Sequence, residues 1–186
     1  RYEIVSDLLD QQENLINILE SLRLLARGDL SEENIFEEID FTQFIIDLAA
    51  KYQRQYPESQ FHLTSYSEKP LIFAWREGLH VMLSNIIVNS ITHSNKKLEQ
   101  LVVEISTEIS ENRLILTIDD NGIGIPETER TLVLERFRRG NSTSIKGSGL
   151  GLALVKQQVE IHNGSIEITS NPSSGARFVI SLPVVI

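Results

Sequence analysis

Cysteine is absent from this 186-residue chain, which removes disulfide staples, thiolate zinc sites and thiol nucleophiles and fits a reducing compartment. Uninterrupted apolar stretches reach only a few residues, well short of the ~20 that cross a bilayer. The opening Arg1-Tyr2-Glu3-Ile4-Val5-Ser6-Asp7 lacks the apolar core of a signal peptide. Positive charge is scarce: 17 Lys and Arg face 26 Asp and Glu, a net charge of −9. Such a balance argues against a nucleic-acid surface, although a local cationic cluster could hold a small anion. Core material is plentiful, with 41% hydrophobic residues, enough for one globular domain and too much for disordered or fibrous classes. The chain starts inside a helical pattern without an initiator Met, which fits a piece of a longer protein.

Apolar residues at Ile4, Leu8, Leu15, Ile18, Leu22 and Leu25 recur at three-four spacing. This is the seam of a coiled coil or helical bundle, or else the buried stripe of an ordinary amphipathic helix. Gly28 and the acidic stretch after it read as a linker, placing a boundary near residue 29. Asp40 with Gln43 suggests a capping box opening a helix over residues 41–55, with Phe44, Ile45, Leu48 and Ala49 as its stripe and Pro57 beyond its end. Short strands are expected at 61–65 and 71–75, and a long helix at 76–94. Further strands alternate. Val103, Ile105 and Ile109 share one face, as do Leu114, Leu116 and Ile118, Ile166 and Ile168, and Phe178, Ile180 and Leu182, with mostly polar residues between them. A sheet greasy on one side only calls for helices on that side. The expected fold is therefore an α/β two-layer sandwich, and a doubly wound fold is excluded because its strands would be apolar on both faces.

Four places could carry chemistry. Within helix 76–94, Asn85 and Asn89 lie one turn apart, off the apolar stripe, and Thr92 and His93 extend their line. Aligned amide oxygens suit a hard cation such as Mg²⁺ bound together with phosphate; a solvated helix face is the plain alternative. Asp119-Asp120-Asn121-Gly122-Ile123-Gly124-Ile125-Pro126 ends a strand whose period turns Asp120 inward and Asp119 outward. A carboxylate at the rim of an apolar pocket needs a donor such as the exocyclic amine of a base. Gly122 and Gly124 would leave room for a flat ring, although Asp-Asn-Gly is also an ordinary turn signal. Gly147-Ser148-Gly149-Leu150-Gly151-Leu152-Ala153 runs into a helix expected at 153–163, where backbone N–H groups and the helix dipole favour phosphate; a plain loop before a helix is the alternative. Between the glycine clusters, Arg136, Phe137, Arg138, Arg139 and Lys146 read as a lid able to close over phosphates, or as solvated surface.

In order, Asn85 to Ser90, Asp120 to Ile125, Glu135 to Arg139 and Gly147 to Leu152 resemble the N box, first glycine box, F box and second glycine box of sensor histidine kinases of two-component systems. Gly175-Ala176-Arg177-Phe178 and Ser181-Leu182-Pro183 are similar to that family's ending. The resemblance covers residues 30–186 and implies a Bergerat-type ATP-binding fold over 29–186. It also makes residues 1–28 similar to the second helix of a dimerisation and histidine-phosphotransfer hairpin. It implies ATP and Mg²⁺ as cofactors. Asp120 would read the adenine amine, with Gly122, Gly124 and Ile125 beside it, and Asn89 would hold the metal. Asn85, Thr92 and His93 would line the nucleotide. Arg138, Arg139 and Lys146 would face the phosphates, with Gly147, Ser148, Gly149, Leu150, Gly151 and Leu152 bordering them. Asn89, Asn85 and Arg139 would act in catalysis, which is mostly positioning and charge neutralisation in such transfers. The implied partners are a phosphoacceptor histidine, a response regulator and, in the full-length protein, a second copy, with no nucleic acid and no membrane contact by this piece. The implied location is cytoplasmic, beneath a membrane-bound bacterial sensor.

Three departures accompany the resemblance. Thr92 stands where the family often has Lys or Arg, and Ala176-Arg177 stands where Thr-Thr is usual. No box holding a phosphoacceptor is present, since His62, His80, His93 and His162 sit in other contexts; His62 and His80 read as structural. Two further readings compete: a nucleotide-gated binding module signalling through the first helix, and a clamp ATPase of the same superfamily.

Overall fold

The computed structural model describes residues 35–65, 70–136, 149–172 and 174–185. The helix expected over 1–28 and the boundary near residue 29 lie outside these. The first element among the described residues is a strand, β1 (Phe36–Asp40), in a stretch to which the sequence reading assigns no element. Two consecutive glutamates hide its alternation; it exists because it pairs antiparallel with β3 (Leu71–Trp75). Asp40 then caps α1 (Phe41–Gln55), its Oδ1 accepting the Gln43 N–H at 3.0 Å. The cap is one-sided: the Gln43 side chain turns forward to Asp47 at 2.9 Å rather than back to the cap. Phe41, Ile45, Leu48, Ala49 and Tyr52 form the buried stripe of α1, with Phe44 partly covered.

The main sheet has five strands in the order β2-β4-β5-β7-β6. β2 (Gln60–Ser65) runs parallel to β4 (Val102–Ser110), and every other pair is antiparallel: β4 with β5 (Arg113–Asp120), β5 with β7 (Ala176–Pro183), and β7 with β6 (Ser165–Ser170). Glu111 and Asn112, both at positive φ, make the two-residue turn that joins β4 to β5 with the handedness strands prefer. Val103 and Ile105 of β4, Leu114, Leu116 and Ile118 of β5, and Phe178, Ile180 and Leu182 of β7 are all buried on one face. α1, α2 (Arg76–His93) and α3 (Gly151–Ile161) contribute to the same core, α2 through Leu79, Met82, Leu83, Ile86 and Ile87. This is the one-sided α/β sandwich that the alternation predicts.

Ile109 shares the inward face of β4, opposite Leu114, but is 39% exposed at the strand end, and Thr107 is buried between it and Ile105. One boundary needs correction. α3 starts at Gly151 rather than Ala153 and ends at Ile161, closed by His162. That histidine accepts the Trp75 backbone N–H at Nε2 (3.0 Å), and its Nδ1 lies 2.6 Å from the Gln158 carbonyl, so Nδ1 carries the hydrogen of a neutral ring. Burial pushes its pKa down. Among the described residues, no helix is long and apolar enough to cross a membrane.

Candidate functional site

Where β5 ends, a cavity opens between α2 and the start of β7, lined by Asn89, His93, Asp120, Gly124, Ile125 and Ala176. Period two along β5 places Asp120 on the same face as Leu114, Leu116 and Ile118, and only 5% of it is exposed. Its carboxylate is held by neutral donors. Oδ1 accepts from Gly122 N (2.9 Å) and Ala176 N (3.0 Å), and Oδ2 accepts from Ser90 Oγ (3.1 Å). Ser90 Oγ also lies 3.2 Å from the Ile86 carbonyl, but its single hydrogen is better placed on the charged acceptor. Two carboxylate oxygens offer about four acceptor positions; three donors among the described residues leave one, on Oδ2.

The loops on either side interlock backbone against backbone. Gly175, at φ +97°, packs so closely that a Cβ there would lie 2.0 Å from the Asp120 carbonyl oxygen; one on Gly124, at φ +74°, would lie 2.8 Å from the Gly175 oxygen. Space at Gly122 is limited by the Ser94 backbone at 2.9 Å. Gly122 and Gly124 are therefore required by loop packing, a reason for glycine beyond the one given from sequence, and Gly124 also lines the cavity. Asn171 Nδ2 donates to the Asp120 carbonyl at 2.9 Å, so the site's main chain is held as firmly as its side chain. Asn121 ties the loop to the entrance of β4, donating to Gln100 O at 2.9 Å and accepting from Val102 N at 3.1 Å. Arg130 anchors the next stretch, donating to Ile125 O (3.1 Å) and Ser170 Oγ (2.7 Å).

Of the residues singled out from sequence, Asn89, His93, Asp120, Gly124 and Ile125 come together around this cavity, and Gly122 donates to its carboxylate. Asn89 lines the cavity, and no hydrogen bond to another described residue occupies its amide. His93 is half-buried, and burial holds its pKa below the ordinary histidine range, so the ring is neutral at neutral pH. Thr92 is exposed and outside the cavity wall. Asn85 points elsewhere: its Nδ2 donates to Val81 O at 2.8 Å, and its Oδ1 abuts Gly151 at the start of α3. Leu150 is buried against Leu154 and Val81, and Leu152 packs on the core, so both act as anchors of α3. Gly149 takes a positive φ of 69° at the approach to that helix, whose first turn has no side-chain cap. Arg138, Arg139, Lys146, Gly147 and Ser148 lie outside the described residues.

Two residues escape the sequence reading. Ser90 stands beside Asn89 but on the core side of α2; a hydroxyl one turn from Ile86 within an apolar stripe needs a buried partner, and that need was the available signal. Ala176 enters through its backbone N–H, which no residue pattern advertises.

A family model described as the histidine kinase-, DNA gyrase B- and HSP90-like ATPase matches residues 76–186. The sensor-type histidine kinase PrrB of Mycobacterium tuberculosis is 37% identical over 183 residues, covering 98% of this chain and 40% of that protein. Among solved structures, the mycobacterial sensor histidine kinase MprB matches with a TM-score of 0.70 and 31% identity over 81% of this chain and 98% of the other. The ATP binding domain of PrrB from Mycobacterium tuberculosis gives 0.67 and 32%, with the same coverage. The chain spans 40% of the length of the curated PrrB relatives it matches. The matched segment is more than half of the chain and contains α2, β5 and β7, so the chain belongs to the histidine kinase-, DNA gyrase B- and HSP90-like ATPase family, beside the ATP-binding catalytic domains of sensor histidine kinases.

Proposed function

We propose that the chain binds Mg-ATP in this cavity and transfers the γ-phosphoryl group to a histidine outside it, for relay to a response regulator. The observation that carries the reading is the single acceptor position left on Asp120 Oδ2 at the cavity wall. An exocyclic amine can place one of its two N–H groups on it, whereas a carbonyl at the same ring position would set acceptor against acceptor. Ile125 and Ala176 supply the apolar walls of a base pocket, and neutral His93 flanks it without adding charge. Asn89, whose amide makes no hydrogen bond to another described residue, would supply one oxygen to a hard divalent cation that completes its shell with phosphate oxygens and water. Bound there, Mg²⁺ would neutralise charge on the transferring phosphate. The N–H groups at the start of α3, to which Leu150 gives no side-chain cap, would favour the phosphates. Asn85, packed on Gly151, fixes where that helix begins relative to Asn89. Gly122, Gly124 and Gly149 shape the loops, Leu150, Gly151 and Leu152 seat α3, and Thr92 stays at the rim.

For residues outside the described set the reading rests on the family resemblance: Arg138, Arg139 and Lys146 at the terminal phosphates, Gly147 and Ser148 at the loop. Residues 1–28 would be the second helix of a dimerising hairpin and 29–186 the catalytic domain, in a homodimeric sensor whose kinase portion is cytoplasmic. Transfer breaks the bond from the γ-phosphorus to the β-γ bridging oxygen and forms one to an imidazole nitrogen, leaving ADP.

Calorimetric titration with ADP and ATP, with and without Mg²⁺, tests the site. Asp120→Asn should abolish binding and Asn89→Ala should abolish its Mg²⁺ dependence, each in a variant whose thermal melt shows it folded. A folded wild-type chain that binds neither nucleotide would overturn the reading. Transfer is tested by acid-labile phosphate on a histidine of a chain extended at its N-terminus; binding without transfer would favour a nucleotide-gated module instead.

A further inference from the structure

The cavity lies on the inner face of the sheet, yet the immediate neighbours of its two central groups meet on the outer face. Asp119 precedes Asp120 on β5, Arg177 follows Ala176 on β7, and the two are cross-strand partners. Arg177 donates from Nε to Asp119 Oδ1 and from Nη2 to Oδ2, both at 2.7 Å. The Asp119 side chain is only 10% exposed. A planar fork on a planar carboxylate fixes angle as well as distance, which a single charge contact does not. Its hydrogen bonds to Asp119 raise the Arg177 pKa further, and the charge of Glu104, opposite Asp119 on β4, adds to this.

The place of this pair in the ladder gives it a consequence. Asp119 and Arg177 form the last rung between β5 and β7. Beyond it, Gly175 and Ser174 turn away at positive φ, so β5 offers no further rung on the edge where the Ala176 N–H points; on the other edge Ala176 stays paired with Ser170 of β6. Strand ends are where ladders open first.

We infer that the Asp119–Arg177 fork is a positioning element for base recognition: it pins the terminal rung from behind, keeps the Ala176 N–H on Asp120 Oδ1, and so directs the remaining Oδ2 acceptor into the cavity. The inference rests on the nucleotide reading above. It makes Arg177, one of the departures noted in the sequence, a residue that acts through Asp120 without touching the ligand.

The test compares ADP with purine riboside 5′-diphosphate, which lacks the exocyclic amine, by calorimetry on the whole chain. Arg177→Gln should lose about tenfold in ADP affinity while its affinity for the amine-free analogue stays within about twofold. Arg177→Lys, which keeps the charge but not the fork, should recover only part of the loss. The exchanged pair Asp119→Arg with Arg177→Asp should recover more. Equal losses for both nucleotides would reduce the pair to general stability and overturn the inference, as would unchanged ADP affinity. If Arg177→Gln melts too low to titrate, Arg177→Lys carries the same comparison. A wild type that binds both nucleotides equally removes the amine reading and the inference with it; a wild type that prefers ADP, with variants that prefer it equally, removes the inference alone.

Discussion

Asp119 and Asp120 are adjacent in sequence, and both are nearly buried, yet they solve the problem of a covered carboxylate in opposite ways. Asp119 faces the outer side and is closed by one cationic fork that takes both its oxygens. Asp120 faces the cavity and is held by three neutral donors drawn from three places: the loop after β5, the start of β7 and the last turn of α2. A guanidinium fork on Asp120 would have engaged both oxygens and set a bulky cation at the cavity wall; neutral donors hold its geometry while leaving one acceptor position facing the cavity. The lesson is that compensation by dipoles keeps a carboxylate available as a recognition group, whereas compensation by a cation turns it into a strut.

The largest test of that contrast is Asp120→Asn. The amide puts N–H groups where donors already point, and nucleotide affinity should fall about 100-fold or more by calorimetry. Gly175→Ala comes next. At φ +97° and with the Asp120 carbonyl in the way, the added methyl forces β7 off β5, and chemical denaturation should record a loss of about 2–4 kcal/mol together with weakened binding. Ser90→Ala removes one neutral donor and leaves two; stability should drop by about 1–2 kcal/mol, with a several-fold change in nucleotide affinity. Asp40→Ala is the control at a third, partly exposed carboxylate that only caps α1: about 1 kcal/mol of stability and no change in binding.

A smaller effect comes from pH. His80, His93 and His162 all have pKa values lowered by burial, with the Lys51 charge adding to the effect at His80. Lys51 Nζ lies 3.2 Å from His80 Nε2 and Ser84 Oγ 3.3 Å from its Nδ1. His93 shares the cavity wall with Asn89 and Asp120, and His162 meets Trp75, Gln158 and the Phe36 ring. The unfolded chain binds protons at these sites more readily than the folded one. Their contribution is therefore complete above the ordinary histidine pKa of about 6.5 and is lost as pH falls through it toward the lowered values. Melting temperatures between pH 8 and 5.5 should decline on the acid side, and His80→Gln should flatten that slope.

The alternation of Leu114, Leu116 and Ile118 made the sheet, its one covered face and the inward turn of Asp120 legible from the residues alone, because period two is a local property. β1 was not legible: nothing in Phe36-Glu37-Glu38-Ile39-Asp40 alternates cleanly, and it becomes a strand only when Leu71–Trp75 pairs with it. Asn89 and His93 could be placed on a common helix face by spacing, but spacing alone could not separate Asn85, which turns to the start of α3, from Asn89, which opens on the cavity. Ser90 and the Ala176 N–H were invisible for a different reason. Each matters through a partner 30 or more residues away, and such pairings are set by register rather than by residue type.

The hydrogen bond from the Trp75 backbone to His162 joins the start of α2 to the end of α3, and Trp75 is the sole tryptophan of the chain. Its ring carbon Cε3 also comes within 2.6 Å of where a side chain on Gly78 would begin. The protein thus carries an intrinsic optical probe at the junction of the two helices that frame the nucleotide region. Its emission should register any change in their separation and any proton arriving on His162, without a label and away from the ligand.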